Sequence, residues 1–140
     1  MSMTGHCLCG AIHLEAAGGP LGSRMCWCDD CQRACGGSAS VNVLFPADAV
    51  MWTGAPATWL KTADSGNSVE RGFCPTCGTQ LYSRIMSDPD APVRIRAGVL
   101  DDRAACPPTA AIWMDSAPAW VRIDPALPKL RKGPGSEPVD

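Results

Sequence analysis

Residues 26–37 read Cys-Trp-Cys-Asp-Asp-Cys-Gln-Arg-Ala-Cys-Gly-Gly, and this stretch organises our interpretation of the whole chain. Its first half places Cys26, Cys28 and Cys31 in a C-x-C-x-x-C run. Such close spacing lets one tight turn direct several thiolates at a single point, as a tetrahedral zinc site requires. In catalytic zinc sites three protein ligands leave the fourth position to water or substrate. The stretch therefore predicts a reactive zinc site on three cysteines.

Two further cysteine motifs predict a second, closed site. Cys7 and Cys9 form a C-x-C-G motif before an alternating segment, residues 11–15, that is typical of a half-buried strand. Cys74 and Cys77 form a C-P-T-C-G motif with the composition of a zinc knuckle. Joined, the four thiolates would make a structural site, and such a zinc ion can supply on the order of 10 kcal/mol of apparent folding free energy. We therefore predict two zinc ions per chain.

Two cysteines remain outside these motifs, Cys35 and Cys106. A spare cysteine is more often a small buried hydrophobic residue than a metal ligand. Cys35, however, lies one helical turn after Cys31. Two alternatives stay open: Cys35 packs in the core, or it supplies a fourth ligand to the three-cysteine site, which would close that site and weaken an enzymatic interpretation.

Composition narrows the class of protein. The chain has 140 residues, 46% of them hydrophobic, with a formal charge of −2, so we expect one domain, and a nucleic-acid-binding zinc ribbon is disfavoured. Without a signal-peptide pattern or a run of about 18 apolar residues, we expect a cytoplasmic protein with no membrane span. In the cytoplasm, nine cysteines favour metal binding over the disulfide framework of a secreted protein. A thioredoxin-like redox role for the C-x-x-C motifs would need a βαβ pattern, which is not evident.

Short strands separated by turns predict a mostly β domain over residues 1–128. A helix is predicted over residues 29–34, with Asp29 or Asp30 as its cap and the glycines at 36–37 as its stop. The apolar segments 110–114 and 119–123 are expected to close the core. Residues 129–140 are predicted to be a tail rich in proline and glycine. Strands are predicted over residues 38–45, 57–62, 68–73, 79–85 and 93–100, with a hairpin loop at 63–67.

The motifs at 7–10, 26–33 and 73–79, taken in this order, resemble those of the glutathione-dependent formaldehyde-activating enzyme family. The segments at 98–101 and 112–113, with Trp120, look like the closing segments of that family. The resemblance implies a β-tent (Mss-like) fold of short antiparallel sheets organised by two zinc ions. It implies a structural ion on Cys7, Cys9, Cys74 and Cys77 and a catalytic ion on Cys26, Cys28 and Cys31.

The implied reaction is the addition of glutathione to formaldehyde, which gives S-hydroxymethylglutathione and is classed with the carbon–sulfur lyases. Free thiols, with a pKa near ~8.5, are mostly protonated at about pH 7 and need activation. A zinc ion with three thiolate ligands is a moderate Lewis acid that favours soft sulfur over water. The hypothesis is that zinc presents the thiolate of glutathione and that formaldehyde, or a related small aldehyde, adds at the sulfur.

Glutathione carries two carboxylates, for which arginines are natural partners. Arg24 and Arg33 flank the cysteine run and are the first candidates, while Arg71 and Arg84 flank the C-P-T-C-G motif. For Trp27 two alternatives stay open, a pocket wall or a core residue.

A competing hypothesis is a non-enzymatic zinc module that binds a protein partner. It predicts an exposed apolar patch that includes some of the five tryptophans. His6 and His13 could carry protons near neutral pH, although surface positions are favoured for both.

Overall fold

Alternating polar and apolar residues build most of the chain into strands, and the fold is mostly β, as predicted. The computed structural model describes residues 1–139. The strands are β1 (Ser2–His6), β2 (His13–Ala17), β3 (Gly22–Cys26), β4 (Ser40–Phe45), β5 (Val50–Thr53), β6 (Ala57–Thr62), β7 (Ser68–Phe73), β8 (Gln80–Ile85), β9 (Val93–Arg96) and β10 (Ala111–Ile112). The helix α1 spans Asp29–Ala34, and short 3-10 turns cover Ala47–Ala49, Ala97–Val99, Arg103–Ala105 and Met114–Ser116. Among the described helices, none combines the length and the apolar character that crossing a membrane requires.

The strands form two sheets. A three-stranded sheet has the order β1-β2-β5, and a seven-stranded sheet has the order β10-β3-β4-β9-β8-β7-β6. The neighbours in both sheets are antiparallel except for β10, which pairs with β3 in parallel. The prediction of short antiparallel sheets is confirmed with this one exception.

The two faces of the larger sheet have different chemistry. Because side chains alternate across a strand, β9 directs Val93 and Ile95 to one face and its two arginines to the other. Val93 and Ile95 join Val43 and Phe45 of β4 in the main core, where the smaller sheet adds Leu14 among others. The core therefore lies between the sheets, and the opposite face of the larger sheet is left to polar side chains.

Several predicted elements are confirmed. The helix covers the predicted residues 29–34, and β6, β7 and the loop between them have the predicted bounds. The predicted cap is wrong, because Cys28 caps the helix: its Sγ accepts a hydrogen bond from the Cys31 amide at 3.3 Å. β1, β3 and β5 were not predicted: β1 and β3 mix polar residues with glycine, and β5 has only four residues.

Other predictions are corrected by the structure. The strand predicted over residues 93–100 ends at Arg96, where a 3-10 turn begins. Residues 119–123 form no strand, and Trp120 is 67% exposed, so this segment does not close the core as predicted. Proline at 118 and 125 and the short apolar run leave this segment without a strand partner. Ala111 and Ile112 are buried, as expected.

The predicted tail is attached to the sheet. We call residues 128–134 the C-terminal strap. Its backbone runs beside β10: the Ala111 amide donates to the Pro128 carbonyl and the Leu130 amide donates to the Ala111 carbonyl, each at 2.8 Å. Leu130 also packs against Ile112 and against Cys26, Cys28 and Cys31. The strap therefore pairs with β10, and the domain boundary at residue 128 stays a prediction.

Candidate functional site

The first cysteine group joins two distant segments. The Sγ atoms of Cys7, Cys9, Cys74 and Cys77 lie within 4.8 Å of one another. Sγ of Cys9 is 3.6 Å from that of Cys7 and 3.8 Å from that of Cys74. Tetrahedral zinc with Zn–S bonds of about 2.3 Å places its sulfurs about 3.8 Å apart. The donor set and its spacing therefore fit a zinc ion.

Local turns aim these sulfurs at one point. Gly10 and Gly78 adopt positive φ angles of 81° and 78°, which the backbone needs to fold back beside each C-x-C or C-x-x-C pair. The Ile12 amide donates to Sγ of Cys7 at 3.3 Å. A hydrogen bond with the Thr79 hydroxyl, at 3.1 Å, is the first cause that lowers the pKa of Cys77 to about 5. These interactions favour the thiolate form that a metal requires.

The second group is built around the start of α1. Cys26 ends β3, Cys28 caps the helix and Cys31 lies in its first turns, and their three Sγ atoms are within 4.8 Å of one another. The sulfur of Cys35 is not part of this group, and burial raises the pKa of its thiol. Of the two alternatives for Cys35, the structure therefore supports a packing role.

The three thiols of this group differ in pKa. Hydrogen bonds from Cys26 and Cys28 lower the pKa of Cys31 to about 2, and Ser40 and the charge of Arg96 act in the same direction. Hydrogen bonds with Cys28 and Cys31 raise the pKa of Cys26. Clustered thiols that share protons in this way are suited to release them to a metal ion.

Gln32 holds the helix against the rest of the site. Its Nε2 donates to the carbonyl of Trp27 at 2.8 Å and to that of Ser116 at 2.9 Å. The Trp27 side chain is only 4% exposed and does not line the cavity described next. Trp27 is therefore a core residue in the structure, the second of its two predicted alternatives.

A cavity of about 140 Å³ opens beside the three-cysteine group. All three cysteines line it, together with Asn42, Ser83, Ile112 and Trp113. Four arginines also face it, namely Arg24, Arg71, Arg94 and Arg96. The cavity thus combines clustered thiols with a strongly cationic wall.

Sheet register explains the arginine wall. Arg24 of β3, Asn42 of β4 and Arg96 of β9 are successive cross-strand partners. Arg94, two residues before Arg96, pairs with Ser83, which pairs in turn with Arg71. Side chains two residues apart share a face, so these rows lie on the polar face of the larger sheet.

The candidate arginines divide between the cavity and the surface. Arg24 and Arg71 line the cavity, whereas Arg33 is exposed on α1 and does not. Arg84 is also exposed, with Nε 3.7 Å from a Glu70 carboxylate oxygen. Two further cavity arginines, Arg94 and Arg96, were not predicted. The alternation Val-Arg-Ile-Arg over residues 93–96 was the available signal, because it directs both arginines to one face of a strand.

The C-terminal strap supplies part of the cavity wall. Gly133 and Pro134 line it, and the Trp113 amide donates to the Lys132 carbonyl at 2.9 Å. Trp113 has a φ of 59°, a conformation that non-glycine residues rarely adopt. The two histidines lie elsewhere: both are exposed, and Nδ1 of His6 is 2.7 Å from the Cys7 carbonyl.

This chain is similar to known proteins in sequence and in fold. A curated protein of Phaeosphaeria nodorum, named "Putative glutathione-dependent formaldehyde-activating enzyme", is 29% identical over 83 residues, which cover 59% of this chain. The chain spans less than half of that relative, 43% of its length. A crystal structure of a Rhodobacter sphaeroides protein matches the fold with a TM-score of 0.54 at 23% identity, covering 71% of this chain and 89% of the other.

The family model described as "Glutathione-dependent formaldehyde-activating enzyme" matches residues 2–116, which include both cysteine groups and all four cavity arginines. The match therefore covers most of the chain. The chain belongs to the glutathione-dependent formaldehyde-activating enzyme family.

Proposed function

We propose that this protein adds glutathione to formaldehyde, as a zinc-dependent carbon–sulfur lyase of the S-(hydroxymethyl)glutathione synthase type acting in the cytoplasm. The observation that carries the proposal is the group formed by Cys26, Cys28 and Cys31 in the wall of an arginine-lined cavity. Three sulfur donors beside a cavity are the donor set of a catalytic site, whereas the four-cysteine group has that of a structural site.

The three-cysteine group would hold a zinc ion, which when bound would attract the soft sulfur of the incoming thiol and lower its pKa. In the reaction, the thiol sulfur forms a bond with the carbonyl carbon of formaldehyde. The carbonyl π electrons move to oxygen, and the proton that the thiol gives up ends on that oxygen. Atoms and charge balance without an oxidant or a reductant.

The protein's own side chains bind and enclose the substrates. The cavity arginines provide charge-assisted hydrogen bonds for the carboxylates of glutathione. Ile112 and Trp113 pack apolar surface against the three-cysteine group. Gln32 keeps α1 in place through its hydrogen bonds to two backbone carbonyls. Positioning the thiol in this way lowers the entropy cost of the addition.

Magnetisation-transfer NMR tests the proposal by measuring exchange between free formaldehyde and its glutathione adduct. The zinc-loaded protein is expected to accelerate exchange, and Cys28→Ser to lose both the acceleration and one of two zinc ions. Cys35→Ser, a change four residues beyond Cys31, is the matched control and should keep both. Full acceleration by Cys28→Ser, or none by a wild-type protein with two zinc ions, would contradict the proposal.

A second candidate, a zinc module that binds a protein partner, is favoured by one observation. Trp59 and Leu60 are each 58% exposed on β6, the edge strand of the larger sheet. Exposed apolar side chains on a strand edge are suited to pairing with another chain. A protein that contains two zinc ions but takes up no thiol would favour this candidate over the enzyme.

A further inference from the structure

Arg96 is held by one part of its guanidinium group and leaves another part free. Its side chain is buried, Nη1 donates a hydrogen bond to Oδ1 of Asn42, and Nδ2 of Asn42 donates to the Ser40 hydroxyl at 2.9 Å. Nε and Nη2 are buried, and no group within residues 1–139, the part of the chain that the structure describes, forms a hydrogen bond with them. These two nitrogens form one edge of the guanidinium, the fork that fits both oxygens of a carboxylate.

Arg71 presents a second buried guanidinium to the same cavity. The residue is 8% exposed and Arg96 is 6% exposed, so both are more than nine-tenths buried. Nε and Nη1 of Arg71 likewise have no hydrogen-bond partner among the described residues. Buried polar groups are nearly always hydrogen-bonded, and an unpaired charge is the most costly case. Two such arginines in one cavity wall therefore indicate a bound anion.

The charges around the cavity do not supply that anion. Within the described part of the chain, the carboxylates that line the cavity belong to Asp30 and Asp64. Oδ1 of Asp30 already accepts a hydrogen bond from Lys61 Nζ at 2.5 Å. Asp64 is exposed on the loop between β6 and β7. Burial, with the charges of Arg24 and Arg96, lowers the pKa of Arg94, as expected where positive charges crowd together. Three thiolates with a divalent ion would carry one net negative charge. The positive charge of the cavity arginines would therefore exceed the negative charge of the metal site.

We infer that Arg96 and Arg71 form a carboxylate-binding subsite beside the three-cysteine group. The inference deepens the proposed function and rests on it, because it assigns the group by which this cavity recognises a substrate. A carboxylate is chosen because the free Nε and Nη2 of Arg96 match its two oxygens. It can come from the thiol substrate, as in glutathione, or from an aldehyde that carries a carboxylate, as in glyoxylate.

The test measures dissociation constants by titration calorimetry on the zinc-loaded protein. Four probes separate the chemistry: glutathione, cysteamine as a thiol without a carboxylate, glyoxylate as a carboxylated aldehyde, and inorganic sulfate. Arg96→Lys keeps the charge but removes the two-nitrogen fork, and Arg71→Gln removes the second guanidinium. Arg84→Gln, an exposed arginine outside the cavity, is the matched control. Circular dichroism checks folding, and Arg71→Gln carries the test if Arg96→Lys does not fold.

The two possible sources of the carboxylate predict different changes in affinity. A loss of about 10- to 100-fold in glutathione affinity, with cysteamine and Arg84→Gln unchanged, supports the subsite and assigns it to the thiol. The same loss for glyoxylate alone supports it and assigns it to the aldehyde. Equal losses for cysteamine, no loss for either carboxylate, or tighter binding of sulfate than of both carboxylates would overturn the inference. Because binding is measured apart from turnover, the subsite can hold even where formaldehyde exchange is not accelerated.

Discussion

Asn42 and Arg96 face each other across β4 and β9, and Oδ1 of Asn42 accepts a hydrogen bond from Nη1 of Arg96. The Asn42 side chain is itself anchored by Ser40, whose hydroxyl acts on the thiol of Cys31. Through these contacts Arg96, Asn42 and Ser40 form one hydrogen-bonded network beside the three-cysteine group. Networks of this kind hold buried polar groups in a defined orientation.

The first prediction concerns that contact. Asn42→Asp places a carboxylate beside Arg96 and should weaken glutathione binding at least 10-fold while the protein stays folded, because the guanidinium is already neutralised. Asn42→Leu removes the acceptor and should lower the free energy of unfolding by about 1–3 kcal/mol. Calorimetry and urea unfolding measure the two effects. Unchanged glutathione affinity in Asn42→Asp would show that Arg96 does not contact the ligand.

The four-cysteine group is predicted to control folding. Cys74 is fully buried and belongs to a group that joins segments about 65 residues apart. Cys74→Ser should lose one zinc ion and most of its cooperative unfolding, since structural zinc contributes on the order of 10 kcal/mol of apparent folding free energy. Zinc content and thermal unfolding by circular dichroism provide the measurement. Cys28→Ser is the control and should stay folded; a Cys74→Ser protein of equal stability would refute a structural role.

Gly72 is predicted to be intolerant of a side chain. A Cβ atom there would lie 2.0 Å from Cε1 of Tyr82, and the ring is packed in the core. Gly72→Ala should therefore destabilise the protein by about 1–3 kcal/mol through overpacking. Gly98→Ala, where a Cβ would meet nothing within 4 Å, is the matched control. Urea denaturation curves for both variants decide the prediction, and equal midpoints would contradict it.

The raised pKa of Tyr82 predicts a loss of folding stability at alkaline pH. Burial, then its hydrogen bond to Glu70, raises the pKa of Tyr82 from 10.0 to about 12. Between these values the unfolded chain has released the phenolic proton while the folded protein still holds it. The contribution is fully present below pH 10.0 and is lost as the pH rises towards about 12.

Tyr82→Phe lacks this group, so the free energy of unfolding of the wild type should fall more steeply than that of the variant above pH 10.0. Chemical denaturation at several pH values compares the two slopes. Other groups that titrate in this range act on both proteins and cancel in the difference. Parallel curves would mean that Tyr82 has the same pKa in both states.

The C-terminal strap is predicted to shape the cavity. A chain that ends at Pro128 should fold, because the main core lies within residues 1–128, but it lacks the wall that Gly133 and Pro134 provide. Its glutathione affinity should fall, and zinc content should stay the same. The experiment also tests the predicted domain boundary: a truncated chain that cannot fold would place the strap within the folding unit.

Much of the metal chemistry was predictable, because its signals are local. C-x-C and C-x-x-C spacings bring thiols together through a single turn, so Cys26, Cys28 and Cys31 could be grouped without knowledge of the fold. Strand alternation likewise predicted β6 and β7 with their loop. The predicted helix cap was wrong because the helix already begins at Asp29. The residue before it is Cys28, and its sulfur accepts the capping hydrogen bond.

The cationic cavity depends on contacts that no local pattern encodes. Arg96 meets Asn42 from 54 residues away, and the two rows of arginines align only because β3, β4, β9, β8 and β7 pair in a particular order and register. The position of the strap could not be predicted either. Its proline and glycine content is typical of a tail, and only the fold brings it beside β10, its backbone hydrogen-bond partner. Residue spacing therefore specified which thiols can share a metal, whereas long-range strand pairing specified what surrounds them, because register alone sets which side chains of separate strands share a face.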